Sequence, residues 1–316
     1  MTFSRSAHAV VFEGPRHLSR RSVELVSRGP GEVLVRTLYS GISTGTERLF
    51  FTGDMPEFPG MGYPLVPGYE TVGEVLQAEP GSGLSAGDRV FVPGANCYSD
   101  ARGLFGGASS LLLTAAHRVL PVAPDLGEDA VLFALAATAY HAVRPTPQAA
   151  LPDLIIGHGA LGRLVARVVV ALGGAPRVWE TRAERRDGAS GYVVCSPEAD
   201  ANRRFATILD ASGHSASLGN WISHLAPRGE LVLAGFYTDT LSFGFVPAFL
   251  REARVRVAAQ WLPQDLEAVR NLVATGELSL AGIVNHRASV DHAEQAYAQA
   301  FEDPGCLKMV LHWRNA

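Results

Sequence analysis

The chain has 316 residues, a length that at roughly 150 residues per domain suggests two domains. Its 27 basic and 31 acidic residues leave a net charge of −4, which gives no electrostatic footprint for nucleic acid. A hydrophobic fraction of 47% with 18% charged residues, 33 glycines and 19 prolines excludes a disordered chain and describes a large core cut by many turns.

The first third reads as strands and turns. Ala9–Phe12 is an apolar run closed by Gly14 and Pro15, and Glu32–Arg36 alternates after the turn at Gly29–Gly31. Thr71–Leu76 and Asp88–Val92 follow, each bounded by glycine or proline, so the spacing predicts a rolled β-domain. Asp125–Asp129 carries helix-start chemistry, and Ala130–Val143 is a buried helix that stops before Pro145 and Pro147. From Leu154 the chain runs strand, glycine turn, apolar helix (Leu161–Leu172) and strand (Arg177–Glu180). Phe205–Asp210 and Glu230–Gly235 are two further strands around a helix at Ser217–Leu225. Such alternation predicts a parallel sheet wrapped by helices. After Ala281 come strand-like and amphipathic pieces ending in Cys306–Leu311. The order predicts a β-domain, residues 1–145 completed by 281–316, around an α/β domain, residues 146–280. There is no internal repeat.

Cys97, Cys195 and Cys306 are too dispersed for a disulfide framework or a C-x-x-C knuckle, which fits a reducing compartment. Ala130–Val143 is too short to span a bilayer, and the first residues lack an apolar leader segment. A cytoplasmic protein without an integral membrane segment is expected.

Residues 157–162 read Gly157-His158-Gly159-Ala160-Leu161-Gly162 between an apolar strand and a long helix, the context that a G-x-G-x-x-G phosphate loop requires. Gly157 makes the turn, Gly159 lets the backbone approach a diphosphate, and Gly162 lets helix and strand pack closely. The diphosphate sits at the helix N-terminus, next to Leu161. Glu180 ends the following strand, where a carboxylate accepts from the ribose diol and repels a 2′-phosphate, so NAD is the expected cofactor. Arg182, Arg185 and Arg186 close by leave NADP as the alternative. Asp210, at the end of the fourth strand, borders the adenosine in this scheme, and Gly235, at the end of the fifth, lies near the nicotinamide.

The run Gly41-Ile42-Ser43-Thr44-Gly45-Thr46-Glu47, then Pro67-Gly68-Tyr69-Glu70, Gly87-Asp88-Arg89-Val90, Thr138–Ala142 and the Gly157 loop together resemble the medium-chain dehydrogenase/reductase family over nearly the whole chain. The resemblance implies a GroES-like β-domain plus a Rossmann doubly wound parallel sheet, an α/β architecture with the active site between the two parts. It also implies that Thr138 touches the nicotinamide. Longer strings at 58–70, 101–107 and 231–237, with the ending 306–311, resemble a branch of that family working in bacteriochlorophyll biosynthesis. This narrower resemblance implies NAD-dependent oxidation of the C3 1-hydroxyethyl group of a bacteriochlorophyllide, a tetrapyrrole, to an acetyl group. A homodimer through the Rossmann sheet edge, near Phe243–Val246, is implied as well.

The sequence departs from the zinc-dependent members of the family at each catalytic ligand position. Ser43 or Thr44 stands for the cysteine, Tyr69 for the histidine and Ala134 for the third ligand. Zinc takes three or four N, S or O ligands at close range, so no metal is expected. Loss of the hydroxyl proton then falls to a general base or a relay of hydroxyls. Tyr69 is the first candidate, with Ser43, Thr44 and Thr46 as a chain leading to solvent. As a base Tyr69 needs a neighbouring positive charge, because its unperturbed pKa is about 10. Glu47 and Glu70 read as structural hydrogen-bonding groups, and His141 as a satisfied core histidine. Phe50, Phe51, Met55, Phe58, Met61 and Tyr63 either face a flat apolar substrate or close the β-domain core. Two other functions compete: a zinc-free NADPH quinone or enoyl reductase, and a non-catalytic nucleotide- and pigment-binding protein on the same fold.

Overall fold

A computed structural model describes residues 6–57, 60–103, 105–144 and 150–313. Phe58, Leu104, Pro145 and Pro147, and with them the expected boundary at 145/146, lie outside these residues. The chain forms two compact units, the first of residues up to Leu132 and from Ile283, the second Phe133–Gly282.

In the first unit β1 (Ser6–Gly14) and β2 (His17–Glu24) make an antiparallel ribbon. β3 (Glu32–Ile42) is the spine of a larger sheet and leads into the short helix α1 (Thr46–Thr52). β4 (Thr71–Gln77), β5 (Arg89–Val92), β6 (Leu111–Ala115) and β7 (Leu120–Pro121) complete the first pass of the chain. The alternation read at 32–36 is not strict. Val33, Leu34 and Val35 are all buried, because both faces of this central strand are covered. Ahead of the second unit, residues 124–132 form 3-10 turns interrupted at Gly127 (φ 54°).

The second unit opens with α2 (Phe133–Val143), whose buried alanines 134, 136, 137, 139 and 142 let α3 and α6 pack closely against it. Then follow β8 (Leu154–Ile156), α3 (Ala160–Ala171), β9 (Arg177–Trp179), β10 (Val193–Cys195) and β11 (Phe205–Asp210). The unit ends with α4 (Leu218–Ser223), β12 (Leu225–Leu233), α5 (Phe245–Phe249), β13 (Arg254–Val257) and α6 (Pro263–Ala274). The six strands pair in parallel in the order β10-β9-β8-β11-β12-β13. Counted within the unit this is 3-2-1-4-5-6, the doubly wound order whose switch point lies between β8 and β11. β8 is apolar and buried at every residue, as a central parallel strand requires.

The chain returns to the first unit with β14 (His286–Ser289), α7 (Ala293–Glu302) and β15 (Met309–His312). β15 pairs antiparallel with β3, Met309 opposite Ile42, so the last strand completes a sheet begun near residue 32. No helix among the described residues is long and apolar enough to cross a membrane.

Candidate active site

The glycine loop follows β8 directly. Gly157 sits at φ 92° and donates its N–H to Trp179 O at 2.8 Å. A Cβ on Gly162 would lie 2.0 Å from Gly157 O, so the third glycine is what allows α3 to start this close to the strand. Gly159 is the N-cap of α3, with no side chain capping the helix. A Cβ there would meet Arg185 Nη1 at 3.8 Å and nothing nearer. The first-turn N–H groups, with Leu161 among them, thus form the kind of helix start that receives an anion.

Glu180 is buried just past β9. One carboxylate oxygen accepts from His158 N at 2.9 Å and the other from Arg182 N at 2.8 Å. A carboxylate offers about four acceptor positions, so two remain for a diol. Arg186 donates to Glu180 O and Thr181 O at 2.9 and 2.8 Å, and its guanidinium is committed to the backbone of this turn.

Asp210 is engaged by its own surroundings. Its carboxylate accepts from Ser212 N, Ser212 Oγ, Gly213 N and the Tyr237 hydroxyl, which builds the turn after β11. Gly235 faces that turn, and a Cβ on it would lie 2.5 Å from Gly213 N. Thr138, half-buried on α2, donates its hydroxyl to Ala134 O at 3.0 Å. His141 bonds Asp265 through Nδ1 at 2.7 Å.

In the first unit, the hydroxyl of Tyr69 donates to Ser43 Oγ at 2.7 Å, with Thr46 Oγ1 at 3.5 Å. Its ring lies against Phe105, centroids 5.1 Å apart. Thr44, in the turn before α1, takes no part in this network, so Ser43 is the residue that meets Tyr69. Desolvation and the Glu70 carboxylate push the Tyr69 phenol well above its usual pKa. The positive charge that a tyrosine base needs is not what surrounds it, and the hydroxyl stays protonated as a donor.

Two buried carboxylates flank this pair. Glu47 accepts from Ser43 N at 3.0 Å and from the Tyr297 hydroxyl at 2.9 Å. Burial pushes its pKa up to about 8, opposed by the Ser43 N–H and reinforced by Glu70, so it is largely neutral at pH 7. Glu70 is held by Lys308 Nζ at 2.6 and 2.9 Å, and the same ammonium donates to Ile42 O at 3.2 Å. Lys308 and Tyr297 escape sequence reasoning because their partners stand 238 and 250 residues away in the chain. One signal was available: Lys308 is the sole lysine of the chain, set in an apolar run.

This donor set does not fit zinc. Ser43 and Tyr69 are bonded to each other, Glu70 is spent on an ammonium, and position 134 is an alanine. Among the described residues no three His, Cys, Asp or Glu side chains are grouped to hold a metal ion. As for the aromatic loop, Phe50 and Met55 are buried core members, while Phe51, Met61 and Tyr63 pack against that same core.

Comparison with known proteins follows the same division. Residues 29–124 match the alcohol dehydrogenase GroES-like domain. Solved structures with this fold include acetophenone reductase from Geotrichum candidum in complex with NAD, at a TM-score of 0.83 and 20% identity, covering 99% of each chain. Another is 2R,3R-butanediol dehydrogenase from Bacillus subtilis, at a TM-score of 0.82 and 19% identity, covering 97% of this chain and 99% of that one. The fold is that of the GroES-like alcohol dehydrogenases. The 2-desacetyl-2-hydroxyethyl bacteriochlorophyllide A dehydrogenase of Rhodobacter capsulatus is 54% identical over 309 residues, 97% of this chain and 98% of its own length. That of Cereibacter sphaeroides is 53% identical over 312 residues, with the same coverage. The chain belongs to the family of these bacteriochlorophyllide dehydrogenases, within the medium-chain dehydrogenases/reductases, and is an oxidoreductase.

Proposed function

We propose that this chain oxidises the C3 1-hydroxyethyl group of a bacteriochlorophyllide to an acetyl group, with NAD as acceptor and without catalytic zinc. The observation that carries the reaction is the full-length likeness to the bacteriochlorophyllide dehydrogenases. NAD, when bound, supplies the acceptor for the hydride leaving the carbinol carbon. On the protein side, the first-turn N–H groups of α3 hold the diphosphate, and Glu180 accepts from the ribose diol with its remaining lone pairs. Asp210 shapes the turn beside the adenosine, and Thr138 and Gly235 border the nicotinamide. NAD is favoured over NADP because Glu180 repels a 2′-phosphate and Arg186 is tied to backbone carbonyls.

The proton follows the hydroxyl pair. As the C–O bond gains carbonyl character, the substrate O–H proton passes to Tyr69 Oη while the Tyr69 proton passes to Ser43 Oγ. Ser43, with Thr46 beside the pair and Thr44 in the adjoining turn, hands a proton on to water. A relay needs no tyrosinate, which is why it suits a phenol whose pKa is raised.

The three cysteines are not joined in disulfides, which fits the cytoplasm. We infer a homodimer formed across β13, the edge strand of its sheet. Val257 is 73% exposed there, and Phe245, Val246, Phe249 and Leu250 on and beside α5 are 62–72% exposed. An open strand edge next to an apolar patch calls for a partner, and a second copy offers the same edge about a two-fold axis.

The test is to mix chelator-treated protein with NAD and a 3-(1-hydroxyethyl) bacteriochlorophyllide and record absorption spectra. Stoichiometric acetyl pigment and NADH are expected. Pigment binding without conversion by either NAD or NADP would leave the non-catalytic reading in its place.

A further inference from the structure

Within the glycine loop, His158 alone has a polar side chain, and it is fully buried. Its Nδ1 lies 2.6 Å from Arg185 O and its Nε2 2.8 Å from the Tyr192 hydroxyl. A carbonyl only accepts, so the ring proton sits on Nδ1, and Nε2 takes the Tyr192 proton as acceptor. The backbone of His158 is tied in the same direction. Its N–H goes to Glu180, and its carbonyl accepts from Arg163 Nε at 3.1 Å. Arg163 Nη2 then donates to Arg185 O at 3.0 Å. The loop and the segment 180–192 are therefore joined by side chains at both ends.

We propose that His158 is a positioning residue for the dinucleotide, its uncharged imidazole tying the phosphate loop to the segment that carries Glu180. This rests on the dinucleotide reading above and adds a residue to it. Glycine has more backbone freedom to lose than any other residue, and this loop holds three. Fixing it in advance removes that cost from the binding step. The clamp must be neutral to work, because a ring protonated on Nε2 could no longer accept from Tyr192 and would place a second cation beside Arg163. Burial and Arg163 push the pKa of His158 down to about 4, against the pull of the Arg185 carbonyl. Burial raises the Tyr192 phenol, which keeps its proton.

The experiment titrates NADH and ADP-ribose into wild type, H158A, H158Q and Y192F by calorimetry, alongside kcat, KM and thermal melts. H158A is expected to weaken both ligands about tenfold and to raise KM alike, with kcat within about twofold. H158Q, which keeps a donor, should recover part of the loss, and Y192F should weaken binding about threefold. Nitrogen-15 spectra of the ring at pH 7 should show the neutral Nδ1–H tautomer. A folded H158A that binds NADH like wild type, or an Nε2–H tautomer, overturns the proposal. Should H158A fail to fold, unchanged binding by Y192F overturns it. Wild type binding neither ligand would instead bring down the dinucleotide reading itself, and the clamp with it.

Discussion

Tyr69 and Glu47 are neighbours whose surroundings act on them differently from what their chemistry in water suggests. Tyr69 donates to Ser43 and is held protonated, so Tyr69→Phe removes a relay and leaves the shape. We expect kcat to fall about 10²–10⁴-fold with a small change in KM, read from pigment oxidation. Glu47 shares this character, a carboxyl kept neutral by burial. Its ordinary value of 4.5 rises to about 8 in the fold. Below pH 4.5 both folded and unfolded chains hold this proton. Between 4.5 and 8 the folded chain alone keeps it, so the stability that the group contributes drains away as pH rises. The slope is on the order of 1 kcal/mol per pH unit at most. Glu47→Gln should flatten that part of the stability–pH curve in urea titrations; an unchanged slope would show that Glu47 titrates normally. The relay was one of two readings of Tyr69 that the sequence left open, whereas the neutral Glu47 was not legible, since its burial and its partner Tyr297 come from the far end of the chain. The pairing of Ser43 with Tyr69 was half legible: the resemblance marked both positions, but an added residue left Ser43 and Thr44 open.

Among elements, β8, the glycine loop, α3 and Glu180 read cleanly because each signal is local: an apolar run, a glycine spacing, a helix period and one acid. Gly162 is the tightest point of that unit. Gly162→Ala places a methyl carbon 2.0 Å from Gly157 O, so α3 must withdraw from β8. The melting temperature should drop by several degrees, since about 1 kcal/mol moves it ~2–4 °C in a domain of this size, and NADH binding should weaken more than tenfold. Retained affinity would mean that the loop does not seat the diphosphate. By contrast β13 and α5 were not legible as elements. Arg254-Val255-Arg256-Val257 alternates too briefly for a strand reading, and α5 has five residues, fewer than two turns. The aromatic loop shows the limit of composition. Phe50 and Met55 are core residues, and nothing in their spacing separated a core from a substrate face.

At the scale of the molecule, the apolar edge at β13 decides how the chain is seen in solution. A dimer across it should appear in analytical ultracentrifugation, and Val257→Lys combined with Phe249→Glu should give monomers with an intact fold by circular dichroism. A wild type that sediments as a monomer at micromolar concentration would refute this assembly. Two domains were suggested by strand-and-turn sequence giving way to strands interspersed with helices. Their boundary was harder to read: α2 belongs by packing to the second unit, yet its alanine-rich sequence fits either neighbour.

The solitary lysine makes the chain its own unfolding gauge. A protease that cuts after lysine alone has a single target bond in the sequence, at Lys308, and in the fold that residue is 1% exposed and clasped by Glu70. Brief digestion should leave the native chain whole and split an opened one into two pieces. The cut removes only the eight residues after Lys308, so the amount of intact chain against urea concentration, read by mass spectrometry, reports the opening of β15 from β3 without dye, label or engineered site. Reagents that acylate exposed side-chain amines should likewise find no side chain to modify until that strand comes away.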